Sequence, residues 1–145
     1  MPDGHVVVAD FRCDWIGLGI ARELATRGHP VTLAVDGYMP GQRLQQYVRD
    51  VMLAAARRAG VQVIPTVRLF GADPSCVYLQ DTLTGDPVIV EDVAALVLAQ
   101  GHEPVDGLIS SLAGSGREVR AIGDCLAPRT VEEAVLEGLV AASAL

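Results

Sequence analysis

Three features of the sequence predict an α/β fold, a doubly wound parallel sheet with an inserted β-meander. Apolar β-rich runs alternate with stretches of helical period through the first 64 residues. The period then shortens between residues 66 and 91, where turn-rich segments separate three short β-leaning runs. Half of the 145 residues are hydrophobic but only 4% are aromatic, which fits an Ala/Val/Leu-packed α/β core better than a β-sandwich.

The first run, His5–Val8, ends at Ala9-Asp10, and Asp14 stands where it would cap a following helix. Ile16, Ile20, Ala21, Leu24 and Ala25 share one face of that helix, and Gly28 stops it. Val31–Val35 is a second buried strand ending at Asp36, so the unit has the βαβ size of roughly 30 residues and should cross over right-handed. After a loop at Tyr38–Gly41, a helix is expected over residues 42–59, with Leu44, Tyr47, Val48, Val51, Met52 and Ala55 inward. Arg43, Arg49, Arg57 and Arg58 then lie on its solvated side. Val61–Ile64 is the third parallel strand.

Thr66–Phe70, Cys76–Gln80 and Pro87–Glu91 read as the meander, Val93–Ala99 as a further buried strand, and Pro104–Leu112 as a short helix. After the Gly-Ser-Gly connection at 114–116, Val119–Ile122 reads as a strand leading into the Gly123-Asp124 turn. Thr130 then begins a last helix, with Glu133 completing a capping box. Val131, Ala134, Val135, Gly138, Leu139, Ala142 and Leu145 recur at helical spacing, which gives that helix an apolar face. This order of elements is Rossmann-like, a layout that binds ligands beyond the carboxyl ends of its strands.

Composition bounds the function. A formal net charge of −7 argues against a nucleic-acid footprint or an anionic membrane surface. No apolar run approaches the about 18–20 residues of a membrane span, and the N-terminus lacks a basic-then-apolar leader pattern. Cys13, Cys76 and Cys125 are scattered and odd in number, so neither a disulfide framework nor a metal knuckle is indicated, and a reduced cytoplasmic location is expected. Cys13 and Cys125 read as packing thiols, and His102-Glu103 as a solvated loop. No nucleophile–base pair or paired carboxylates stand out, so no catalytic residue is assigned.

The first βα turn is where a dinucleotide fingerprint, G-x-G-x-x-G, would let the backbone approach a pyrophosphate. Counted from Asp10, the glycine positions hold Asp10, Arg12 and Trp15, with Gly17 and Gly19 one turn too late. Asp36 does stand where an acid would take a ribose 2′-hydroxyl, although an Asp at a strand end more often serves a turn or cap.

Val6–Asp10, Gly19–Leu33, Leu96–Gly101 and above all Ile122-Gly-Asp-Cys-Leu-Ala-Pro-Arg129 resemble the C-terminal part of multidomain flavin oxidoreductases. These are the 2,4-dienoyl-CoA reductase, trimethylamine and histamine dehydrogenase and N-methyl amine demethylase family, related to old yellow enzyme. The resemblance covers essentially the whole chain. It implies that residues 1–115 are a degenerate pyridine-nucleotide-binding-like domain. Residues 116–145 would be the terminal strand and helix of an FAD/ADP-binding domain whose first, glycine-rich half is not in this chain. The resemblance also makes Gly123, Asp124 and Thr130 cofactor-binding residues, with Asp124 accepting from a ribityl or ribose hydroxyl and the helix start at Thr130 facing the dinucleotide. Asp36 joins them from the first domain.

The altered glycine loop resembles the trimethylamine dehydrogenase type, which passes electrons to an electron-transferring flavoprotein and does not use NAD. The expected function is therefore a non-catalytic nucleotide-binding-like subunit or fragment of a flavin-dependent amine dehydrogenase or demethylase. FAD or ADP would be shared with a larger partner carrying the FMN/iron–sulfur barrel, and NAD(P) would bind poorly or not at all. Met1 just before the first strand and Leu145 just after the last helix fit a small complete reading frame. Two alternatives stay open: an NAD(P)H-binding electron-input module of an enoate or dienoyl-CoA-type reductase, and a free-standing homo-oligomer.

Overall fold

A computed structural model describes residues 2–144. Met1 and Leu145, the latter placed by periodicity on the last helix's apolar face, lie outside them. The described chain forms two compact units, residues 1–101 and 102–145. The short helix expected at 104–112 groups with the C-terminal segment in this division.

The first unit carries a four-stranded parallel sheet in the order β3-β2-β1-β7. Its strands are β1 (His5–Asp10), β2 (Val31–Val35), β3 (Gln62–Ile64) and β7 (Val93–Ala99). Central strands buried on both faces need continuous apolar runs, and β1 and β2 have them: Val6–Asp10 and all five residues of β2 are buried. Helices α1 (Trp15–Thr26) and α2 (Gln46–Arg58) cover one face, enclosing Val6, Val8, Leu18, Ala21, Leu24, Leu33, Val35 and Ala56. The other face is covered by an antiparallel sheet of β4 (Val67–Ala72), β5 (Val77–Asp81) and β6 (Pro87–Val90), in that order. Val7, Ala34 and Val93 of the parallel sheet pack there with Val67, Val77 and Leu79 of the meander. The α/β class, the parallel sheet and the inserted meander are as the sequence predicts. No helix among the described residues is long and apolar enough to cross a membrane.

The second helix corrects two expectations. It begins at Gln46 rather than residue 42, because Gly41 takes φ +67° and Leu44 closes a turn onto the Gly41 carbonyl. Its inner face is Met52, Leu53 and Ala56, whereas Tyr47 and Val51 are exposed at 75% and 71%. Apolar identity alone does not fix which of two neighbouring stripes meets the sheet.

The second unit holds α3 (Gly107–Leu112), a 3-10 turn at Gly123–Cys125 and α4 (Val131–Ser143). The strand expected at Val119–Ile122 does not form. Ile122 has an extended backbone, φ −142° and ψ 159°, but neither sheet pairs with it. A strand exists only through its ladder, and the described chain offers this segment none. The apolar face of α4 is likewise uncovered: Val131, Val135 and Leu139 are exposed, as are Leu136 and Val140 beside them.

Candidate functional site

The sequence places its candidate residues at two turns, one in each unit. In the first unit, Asp10 closes β1 and is fully buried. Its Oδ1 accepts the backbone N–H groups of Arg12 at 2.9 Å and Cys13 at 3.0 Å. Its Oδ2 has no hydrogen-bond partner among the described residues. Burial raises the Asp10 carboxyl above its ordinary value of 3.8 despite those two N–H donors, and the carboxylates of Asp14 and Asp36 push it the same way. Asp14 caps α1 by accepting from the N–H of Ile16 at 2.9 Å, and its other oxygen pairs with Arg12 Nε at 2.6 Å.

Cys13 holds a left-handed conformation, φ +50°, and is buried. Its thiol donates to Asp36 Oδ1 at 3.4 Å, while burial, with the Asp36 and Asp10 carboxylates, pushes it up to about 12. A thiol so placed holds little thiolate, the reactive form, at neutral pH. The structure thus brings Asp36, exposed just past β2, beside the β1–α1 turn. The segment after Asp36 is tied to the same turn, since the N–H of Arg43 donates to the Cys13 carbonyl at 3.0 Å.

The close-packing glycine of this turn is Gly17, not position 15. A Cβ on Gly17 would stand 2.5 Å from Asp10 Oδ2, so only glycine lets α1 lie this near β1. Trp15, which the sequence count put at that place, is 61% exposed. The turn is two residues longer than the fingerprint allows, so the frame moves by two. Counting back from Gly17 by the same spacing puts Asp14 and Arg12 at the other two glycine positions. Gly17, Ala21 and Leu24, spaced four and then three apart on the buried face of α1, are the signal that would have located it.

In the second unit, Gly123 opens the 3-10 turn at φ +61° and donates its N–H to Glu137 Oε2 at 2.7 Å. The other oxygen of Glu137 pairs with Arg129, a tie that no local sequence pattern announces. Asp124 is exposed. Thr130 caps α4 as expected: its hydroxyl accepts from the N–H of Glu132, and its own N–H donates to Glu133 Oε2 at 3.0 Å. The Thr130 hydroxyl bonded to Glu133 is the main cause of that carboxyl's lowered value. Cys125 donates its thiol to the Ile122 carbonyl at 3.0 Å. His102 and Glu103 are exposed.

These residues fit different parts of a nucleotide unequally. The exposed Asp124 carboxylate suits a sugar hydroxyl. The start of α4 suits a phosphate poorly, because Glu132 and Glu133 already place two negative charges in its first turn. The β1–α1 turn suits one worse still, since Asp10 takes the two N–H groups that a phosphate would need. Among the described residues no group of three His, Cys, Asp or Glu side chains is arranged to hold a metal ion.

No protein-family model matches the sequence, and no curated protein matches it. Solved structures do. Histamine dehydrogenase from Rhizobium sp. 4-9 matches 97% of this chain with a TM-score of 0.86 at 19% identity, the match covering 23% of its own chain. The 6-hydroxypseudooxynicotine amine oxidase of Pseudomonas geniculata N1 matches 97% of this chain with a TM-score of 0.86 at 25% identity, covering 22% of its own. A 2-naphthoyl-CoA reductase matches 95% of this chain with a TM-score of 0.76 at 22% identity, covering 20% of its own. All three are members of the trimethylamine dehydrogenase/dienoyl-CoA reductase family that the sequence resembles. The chain has the fold of an oxidoreductase-related domain of this kind. It spans about a fifth to a quarter of the length of these proteins.

Proposed function

We propose that the chain is the non-catalytic, nucleotide-binding-like part, as subunit or fragment, of a flavin-dependent amine dehydrogenase or demethylase. One observation carries this reading: nearly all of the chain shares its fold with about a fifth of proteins named as amine dehydrogenase and oxidase. Residues 116–145 then supply the end of an FAD/ADP-binding domain whose remainder, with an FMN/iron–sulfur barrel, lies elsewhere. The unpaired Val119–Ile122 segment and the uncovered apolar residues of α4 support this. A strand without a ladder and a helix without a core are what a piece of a shared domain would leave. Asp124 would accept from a flavin nucleotide's sugar hydroxyl, with Gly123 and Thr130 fixing the turn around it and Asp36 at the first unit's crevice. When bound, the flavin would supply the electron relay, and an electron-transferring flavoprotein is the expected acceptor.

Calorimetric titration of the purified chain with NADH, NADPH, ADP and FAD tests the reading, followed by the same titrations with a barrel-bearing flavoprotein that lacks this region. The expected result is silence toward both nicotinamide nucleotides and FAD or ADP retention only when the two polypeptides are mixed. Micromolar NADH binding by the chain alone would overturn it in favour of an electron-input reductase module.

A further inference from the structure

We infer that Asp10 is a built-in substitute for a phosphate. Its carboxylate fills, within the chain, the anion cradle of the β1–α1 turn, and this residue is what bars dinucleotide diphosphates from the first unit. The inference rests on the reading above only in taking that unit as nucleotide-binding-like.

The turn has the geometry of a cradle. Successive backbone N–H groups of a turn that includes a left-handed residue point into one concavity, and such concavities bind anions. Here the N–H groups are those of Arg12 and Cys13, the left-handed residue is Cys13, and the anion is Asp10 Oδ1. Left-handed backbone is unfavourable for a residue with a side chain, so something must hold Cys13 there, and the Asp10 carboxylate bonded to its N–H does.

The second oxygen supplies the independent observation. Asp10 is fully buried, yet its Oδ2 has no partner among the described residues and lies in the space kept open by Gly17. Buried carboxylate oxygens are as a rule hydrogen-bonded, so this one calls for an explanation. That oxygen is held in the close contact between the end of β1 and α1, directly behind the turn whose N–H groups a pyrophosphate would need in a dinucleotide-binding domain. Arg12 and Asp14, at the other two glycine positions, neutralise each other through their ion pair and offer no net positive charge to a ligand. The exclusion therefore falls on Asp10, and it acts by occupancy as well as by charge.

Asp10→Gly removes the occupant, Asp10→Asn keeps the shape without the charge, and Asp10→Ser keeps one short acceptor should the glycine variant fold poorly. Each would be titrated calorimetrically with inorganic pyrophosphate and with NADH, alongside the unaltered chain. Asp10→Gly or Asp10→Ser should bind pyrophosphate at least tenfold more tightly than the unaltered chain, while Asp10→Asn should not. A folded Asp10→Gly or Asp10→Ser chain with no gain would overturn the inference, as would an equal gain in Asp10→Asn, which would assign the exclusion to charge alone. NADH binding by the unaltered chain is a separate outcome, which would remove the functional reading itself.

Discussion

Gly17 Cα and the Asp10 carboxylate share one space at the start of α1: a Cβ on Gly17 would lie 2.5 Å from Oδ2 and 2.6 Å from Cβ of Asp10. Gly17→Ala must therefore push α1 off β1 or expel the carboxylate. Overpacking of a tight interior site costs about 1–3 kcal/mol, and that is the loss expected in denaturant unfolding of the variant. The cost is specific to the pair, so Asp10→Gly should remove most of it. Additive losses in the double variant would show that Gly17 is confined by something other than Asp10.

The same carboxylate sets a pH dependence. Burial raises Asp10 above 3.8 in the folded chain, so between the unfolded and folded values the native state holds the extra proton. Stability from this group therefore increases as pH falls through its folded value, the reverse of an ion-paired aspartate. The charge penalty is full above the folded value and absent below 3.8. Asp10→Asn should remove this contribution, so that the stability of the variant relative to the unaltered chain falls as the pH is lowered from about 7 to about 4. An unchanged slope would mean that Asp10 is not the titrating group.

Cys13 should resist alkylation in the native chain. Its thiol is buried and pushed up to about 12, so at pH 8 almost none is thiolate, the reactive form. Cys76 and Cys125 are only partly buried. Mass spectrometry after brief iodoacetamide treatment should find them modified well before Cys13, with Cys13 reacting only in denaturant.

On the meander, the Tyr78 hydroxyl donates to Asp73 Oδ2 at 2.6 Å, and the N–H groups of Ser75 and Cys76 donate to Oδ1. These bonds hold Asp73 down at about 2, with Tyr78 the largest cause, and raise Tyr78 to about 12. Tyr78→Phe should move Asp73 up toward 3.8 in an NMR titration of the carboxyl carbons. Asp73 should still remain somewhat below that value because both N–H donors stay.

What the sequence made legible was whatever local pattern controls. Continuous apolar runs gave β1, β2 and β7, turn residues gave the meander, and capping signals gave Asp14 and Thr130. Apart from the start of α2, which a local turn at Gly41 sets, the misreadings lie where a residue's role depends on a neighbour further along the chain. Gly17 looked late because the fingerprint frame was counted from the strand end, whereas the frame is set by where α1 touches β1. Tyr47 and Val51 looked inward because either of two stripes on α2 would serve an isolated helix. Val119–Ile122 has strand propensity but no pairing partner in the described chain, and propensity cannot supply one. Asp36 and Asp124 stand exposed at the turns where the sequence places them, whereas the part played by Glu137 was not legible, because its bond to Gly123 spans 14 residues.

That bond gives the last prediction. Glu137 holds the Gly123 N–H with one oxygen and Arg129 with the other, so one side chain of α4 fixes both ends of the turn that carries Asp124. Hydrogen bonds to charged groups contribute about 1.5–3 kcal/mol, and this carboxylate is mostly shielded from solvent, its side chain 22% exposed. Glu137→Ala should therefore loosen the turn locally, speeding hydrogen exchange at the Gly123 amide by at least tenfold while leaving the amides of β1 and β2 unchanged. Asp124→Ala removes an exposed side chain and should leave the Gly123 amide as slow as before. If both variants speed it equally, the turn is held by its own 3-10 bonds, chiefly Leu126 N–H to the Gly123 carbonyl at 3.0 Å, and not by Glu137.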